Sequence, residues 1–275
     1  MDNHGTIAFI GGGNMARSLI GGLIARGVEA MSIRVAEPVP ALREALAADF
    51  GVRVFESAGE AAAGSDPWLL AVKPQVLRGV CESLAALARR HRPLVVSIAA
   101  GVTSSQLRRW LGGEAAVVRG MPNTPALLGA GVTGLFATAG VDADGRQRAE
   151  RLLGSVGKTV WIDDEPTMDA VTAVSGSGPA YVFLLAEAME AAARAQGLPD
   201  AAARTLVLET VLGAARMLSE SGEDPAELRR RVTSPNGTTQ AAVETFRKGG
   251  FERLVAHAVS AATERGRQLA AANDD

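Results

Sequence analysis

Short apolar runs alternate with amphipathic stretches along the first 160 or so residues. Runs at 7–10, 33–36, 52–55, 68–72, 94–98 and 116–119 are too short for buried helices and read as strands. Between them, helical spacing of apolar positions covers 15–26, 41–49, 76–90 and 105–111. Strands that alternate with helices predict a mostly parallel sheet covered on both faces, a doubly wound α/β arrangement. A last strand pair, 133–137 and 159–162, brackets a helix near 143–155 and completes the sheet. After Asp163-Asp164 the pattern changes. Tyr181, Leu184, Leu185, Ala188, Met189 and Ala192 form one apolar stripe over 179–196, and 201–218, 225–232, 238–248 and 251–271 continue in the same style. Two domains are expected: 1–163 with the sheet, and 164–275 all helical.

The helical half carries many Ala and Gly and few large apolar residues, so alone it would have a thin core. Small residues let helix backbones approach closely, and a second copy would supply the missing buried area; a homodimer built on this half is expected. At 275 residues and 47% apolar content, the whole chain can bury a large core or two moderate ones. A net charge of −2 gives no reason to expect a nucleic-acid or membrane-surface partner. Arg89-Arg90 and Arg229-Arg230-Arg231 read as solvated faces. The single cysteine, Cys81, excludes an internal disulfide and suits a reducing compartment. The first apolar run is too short for a signal peptide and no segment is long enough to span a bilayer, so a cytoplasmic protein is expected. His4, His91 and His257 show no metal-ligand spacing, and no metal is expected.

Candidate chemistry begins where the first strand ends. Ile10 leads into Gly11-Gly12-Gly13-Asn14-Met15-Ala16, and Gly11-x-Gly13-x-x-Ala16 between a strand and a helix is a dinucleotide fingerprint. Gly11 permits the tight turn, Gly13 lets backbone approach a pyrophosphate, and Ala16 keeps helix and strand close. Unpaired N–H groups at the helix start then receive the phosphates, so NAD or NADP is the expected cofactor. Glu37 ends the second strand about twenty residues on, where an acid hydrogen-bonds the ribose 2′-hydroxyl of NAD and repels the 2′-phosphate of NADP. Arg34 and Arg43 are the nearest cations. Other strand ends add small or rigid backbone at the same crevice: Ala71-Val72-Lys73-Pro74, Ala99-Ala100-Gly101, and Met121-Pro122-Asn123-Thr124-Pro125. Lys73 or Asn123 could reach phosphate, ribose or nicotinamide.

Two turns in the helical half are rich in hydroxyls and glycine. Ser175-Gly176-Ser177-Gly178-Pro179-Ala180 is expected between helices, exposing N–H groups, with Pro179 opening the next helix. Thr233-Ser234-Pro235-Asn236-Gly237-Thr238-Thr239 repeats the design. Each is either a carboxylate cradle or a simple N-cap. No Ser-His-Asp order and no well-placed histidine accompany them. Hydride addition to a ketone needs an acid for the developing alkoxide, whereas a protonated imine is already electrophilic. The absence of an evident strong acid leans towards C=N reduction, although Lys73 could act as one.

Taken together, these motifs resemble pyrroline-5-carboxylate reductase, in that family's order and across nearly the whole chain. The resemblance implies a Rossmann-type domain and an all-α domain that interlocks with a partner subunit, often with five dimers in a decamer. It implies hydride transfer from NADPH or NADH to the C=N carbon of 1-pyrroline-5-carboxylate, giving L-proline. Carried onto matching positions, the substrate carboxylate lies on the N–H groups of Thr238 and Thr239, with Ser234 and Gly237 in the same loop. The Thr239 hydroxyl hydrogen-bonds the ring nitrogen and is the catalytic candidate. Glu165 borders the substrate. Ile10, Gly11, Gly12, Gly13, Asn14, Met15, Glu37, Ala71, Val72, Lys73, Pro74, Ala99, Ala100, Gly101 and Asn123 are the cofactor contacts.

Two positions depart from the family pattern: Glu37, where a neutral residue is common, and Ala58, where asparagine is. Both border the adenosine ribose and leave the choice between NADP(H) and NAD(H) open. A β-hydroxy-acid dehydrogenase of similar build is the main rival; it would place a catalytic lysine in the helical half, where only Lys248 stands. A nucleotide-sensing regulator is the second, and neither charge nor motif shows the DNA-binding element it would carry.

Overall fold

The computed structural model describes residues 5–273, so His4 lies outside the described residues. Eight strands form one sheet: β1 (Ile7–Ile10), β2 (Ile33–Ala36), β3 (Arg53–Phe55), β4 (Trp68–Leu70), β5 (Leu94–Ser97), β6 (Ala116–Met121), β7 (Gly131–Ala137) and β8 (Gly157–Trp161). Six helices accompany them: α1 (Asn14–Ala25), α2 (Pro40–Phe50), α3 (Ala58–Ala62), α4 (Pro74–His91), α5 (Ser104–Trp110) and α6 (Ala143–Leu153). The strand order is β3-β2-β1-β4-β5-β6-β7-β8, so the direction of winding reverses between β1 and β4. Ligands of doubly wound sheets lie outside the carboxyl ends of the strands at such a switch point.

Strand side chains alternate between two cores, as the two-residue period of a strand requires. Phe9, Leu69 and Val96 pack with Leu19 and Ile20 of α1 and Leu152 and Leu153 of α6. Ala8, Ile10, Trp68, Leu70 and Val95 pack on the other face with Leu77, Cys81 and Leu84 of α4 and Leu107 of α5. Burial, followed by the nearby Glu82 charge, pushes the Cys81 thiol up to about 12, which leaves it inert at neutral pH.

β7 runs antiparallel to β6, and β8 is parallel to β7. The link from Met121 to Gly131 carries only the 3-10 segment Thr124–Leu128, too short for the crossover of a dozen or more residues that parallel pairing demands. The short helix α3 lies outside the predicted elements; Ser57 and Glu60 close it with a reciprocal capping box.

After β8 the chain is helical: α7 (Met168–Val171), a π-helical turn (Thr172–Gly176), α8 (Gly178–Ala195), α9 (Asp200–Glu220), α10 (Pro225–Arg231), α11 (Thr238–Lys248) and α12 (Phe251–Ala272). Two compact units result, one of Met1–Ser177 with Ala261–Asp275 and one of Gly178–Ser260. In the second unit the buried apolar residues are few, chiefly Ala203, Val207 and Leu228, while Phe183 and Leu184 are each 66% exposed. The thin core expected of this half is present. No helix among the described residues is long and apolar enough to cross a membrane.

Candidate active site

The glycine turn sits where β1 ends. Gly11 has φ +105°, and a Cβ there would lie 2.8 Å from the Ala71 carbonyl oxygen, so only glycine lets β1 and β4 close at this point. Gly12 donates its N–H to Glu37 Oε2 at 3.1 Å. Gly13 caps α1 without any side-chain hydrogen bond, and no acidic residue occupies the first turn. A Cβ at Gly13 would meet nothing within 4 Å. Free space over unpaired helix N–H groups is what a pyrophosphate requires, and the residues present fit a dinucleotide.

Glu37 is only 7% exposed, so it is not a surface glutamate. Its Oε1 accepts from the Val39 N–H at 3.0 Å while Oε2 holds Gly12, which ties the exit of β2 to the glycine turn. Arg43 donates through Nη1 to the carbonyls of Glu37, at 2.6 Å, and Pro38, at 3.2 Å. Arg34 is turned away, donating to the Ala61 carbonyl and lying over the Phe55 ring.

Hydrogen bonds along the sheet place the neighbouring strand ends on the same rim. The Ala71 N–H donates to Ile10 O and the Ile98 N–H to Leu70 O, so Ala71 and Val72 flank the glycine turn and the 99–101 loop follows next. Lys73 is exposed at the cap of α4, which Pro74 opens. Asn123, after β6, is buried with its carboxamide committed: Oδ1 accepts from Val132 N–H at 2.9 Å and Nδ2 donates to Ser175 O at 3.1 Å. A cavity of about 710 Å³ opens at the opposite rim, beside Gly5, Ile7, Asp66 and Arg148, and none of the predicted site residues lines it.

The segment from Ser175 to Gly178 corrects the expectation of an exposed loop. Ser175 and Gly176 belong to the π-helical turn, and Ser177 N–H donates to Thr172 O at 2.8 Å. An α-helical ladder would offer the Ser175 carbonyl the N–H of Pro179, which has none, and Asn123 donates instead.

Glu165 lies in a short 3-10 turn beyond β8, in the first unit. Its Oε1 accepts from Ser104 N–H at 2.6 Å and from Arg119 Nη1 at 2.8 Å; its Oε2 accepts from the Ser104 hydroxyl at 2.6 Å. Burial works to raise this carboxyl, but the Ser104 hydroxyl and N–H and the Arg119 guanidinium outweigh it and hold it below the ordinary carboxylate value. Burial pushes the nearby Asp169 up; Arg119 and Arg267 pull against the rise, and Glu165 adds to it.

In the second unit the turn before α11 forms as a loop. Asn236 adopts a left-handed conformation, and Gly237 donates to Ser234 O at 3.0 Å. Gly237 caps α11 with no side-chain hydrogen bond and no acid in the first turn, so Thr238 and Thr239 open the helix with unspent N–H groups. Ser234 and Thr238 are exposed and Thr239 is half-buried. His, Cys, Asp and Glu side chains form no group able to hold a metal among the described residues.

Residues 165–269 match the family model described as pyrroline-5-carboxylate reductase dimerisation, and residues 6–101 match NADP oxidoreductase, coenzyme F420-dependent. A pyrroline-5-carboxylate reductase of Pseudomonas aeruginosa is 53% identical over 264 residues, spanning 96% of both chains. The chain belongs to the pyrroline-5-carboxylate reductase family. Among solved structures, the pyrroline-5-carboxylate reductase of Coxiella burnetii superposes with a TM-score of 0.93 at 40% identity, covering 97% of this chain and 99% of that one. The Plasmodium falciparum pyrroline carboxylate reductase, solved with NADP bound, gives 0.85 at 28% identity over 98% and 99%. The protein is therefore an NAD(P)H-dependent oxidoreductase of this family, with a Rossmann-type domain and a helical dimerisation domain. The exposed apolar residues of α8 and α9 lie within the stretch that matches the dimerisation model.

Ser104 and Arg119 were not among the site residues expected for this pyrroline-5-carboxylate reductase. A charged residue inside the otherwise apolar β6 was the available signal, because a buried guanidinium demands a partner.

Proposed function

We propose that the rim formed by Gly11, Gly12, Gly13, Ala71, Val72 and the 99–101 loop binds NADPH or NADH, and that Thr238 and Thr239 bind 1-pyrroline-5-carboxylate. One observation carries this reading. α1 and α11 share a glycine cap, no side-chain cap bond and no first-turn acid, which makes each an open anion site. The first suits a pyrophosphate and the second a carboxylate. Bound there, the reduced nicotinamide supplies the hydride that converts the C=N carbon to the CH of L-proline. The Thr238 and Thr239 N–H groups hold the substrate carboxylate, and the Thr239 hydroxyl orients the ring nitrogen. Thr239 does not titrate near neutrality, so the proton on that nitrogen arrives with the iminium form of the substrate. Glu165 has both oxygens engaged by Ser104 and Arg119, and its proposed part is to favour the iminium form through its charge. The dimers assemble further into a decamer in this reading, and the enzyme works in the cytoplasm without nucleic-acid or membrane partners.

The test is turnover of synthetic 1-pyrroline-5-carboxylate with each reduced coenzyme, scored by proline formed. Oxidation of β-hydroxy acids without any imine reduction would overturn the assignment. Thr239→Ala is expected to lower kcat about tenfold, the worth of one well-placed hydrogen bond, with coenzyme Kd unchanged. An unaltered kcat removes Thr239 from the mechanism.

Glu37→Gln keeps one acceptor for the Gly12 and Val39 N–H groups and deletes the charge that faces the ribose. The kcat/KM ratio of NADPH to NADH is expected to rise about tenfold, since one like-charge repulsion disappears. A constant ratio would mean that the carboxylate does not meet the 2′-position.

A further inference from the structure

The loop after β5 has little local support: the Ala99 N–H reaches the Ser97 hydroxyl at 3.4 Å. Ala99, Ala100 and Gly101 carry no side chain able to hydrogen-bond, and Gly101 adopts φ +68°. Further hold comes from outside, from the end of α12. Asn273 Nδ2 donates to the Gly101 carbonyl at 2.8 Å and to Leu269 O at 3.0 Å. Gln106 Nε2 donates to Ala270 O at 2.9 Å, while Gln106 Oε1 accepts from the Thr103 N–H in the capping box of α5. A Cβ at Gly101 would lie 3.1 Å from Leu269 Cβ, so the helix end and the loop touch along their backbones. All of these residues belong to the first unit.

We propose that Asn273 is a positioning residue: by holding the Gly101 carbonyl it fixes the 99–101 loop in the conformation that receives the coenzyme. The proposal rests on the reading that this loop contacts the coenzyme. Asn273 touches neither coenzyme nor substrate and acts through Gly101. Its Nδ2 donor is the functional atom, because an oxygen in its place would face the carbonyl oxygen and repel it.

Asn273→Ala and Asn273→Asp in the full chain test this by fluorescence titration with NADPH and NADH in the absence of substrate. The coenzyme Kd is expected to rise about three- to tenfold in the alanine variant, the range of one hydrogen bond, and further in the aspartate variant. KM for 1-pyrroline-5-carboxylate and the melting temperature stay near wild type. A lowered melting temperature with unchanged Kd would make the bond merely structural and overturn the proposal. Ala100→Val, in the loop itself, separates the two ideas. If it weakens coenzyme while both Asn273 variants bind as wild type, the positioning role falls and the loop contact stands. If it too binds normally, the coenzyme reading of the loop falls, and the proposal with it.

Discussion

Gly13→Val is expected to fold as the wild type does and to lose coenzyme affinity by about a hundredfold or more. The two halves of that outcome have separate causes. A Cβ at position 13 meets nothing within 4 Å and φ there is −69°, so a side chain can start into open space in the apoprotein. The same room is where backbone N–H groups at the start of α1 would meet a pyrophosphate, and a side chain there holds the phosphates away. A hundredfold loss corresponds to about 2.7 kcal/mol, consistent with losing several charge-assisted hydrogen bonds together. Titration with NADPH and NADH beside a thermal melt of the apoprotein reads both halves. Unchanged affinity would show that the phosphates lie elsewhere.

Arg119→Met is expected to destabilise the fold by about 3 kcal/mol, the lower end of what removing one partner of a buried pair costs. The side chains of Arg119 and Glu165 are 9% and 21% exposed, so Glu165 keeps some water and the upper end does not apply. In a chain of this size the melting temperature should fall by about 6–10 °C, measured at fixed protein concentration because the protein dimerises. The pH dependence has a definite sign. Glu165 lies below its ordinary value in the folded state. Its contribution is therefore complete above the unfolded carboxyl value and is lost as pH falls through the folded one. The variant lacks the share owed to Arg119 and keeps the share owed to Ser104. The gap between the two proteins should be widest near neutrality and narrow on acidification. An equal gap at every pH would assign the loss to packing alone.

Much of the sheet was readable in the chain for a simple reason. β1 and β2 fall at 7–10 and 33–36 as expected; β1 is apolar throughout because it is buried on both faces, and in β2 only Arg34 breaks the run. α3 went unread although Ser57 and Glu60 spell its capping box, because five residues are too few to show a period. The π-helical turn was hidden behind a glycine- and serine-rich composition that also suits loops. In the site, the glycine fingerprint was legible because backbone constraints dictate it locally. The engagement of Glu37 with Gly12 and the Arg119 partnership with Glu165 depend on tertiary closure. The hold of Asn273 on Gly101 spans 172 positions, far beyond any local pattern.

The sparse interior of the second unit has a consequence for how the enzyme comes into being. A segment whose largest apolar side chains face outward gains much of its buried area only from a mate, so its stability should depend on protein concentration. Dilution then threatens native structure as well as association. A lesion on the outward faces of α8 or α9 is then a threat to folding as well as to pairing.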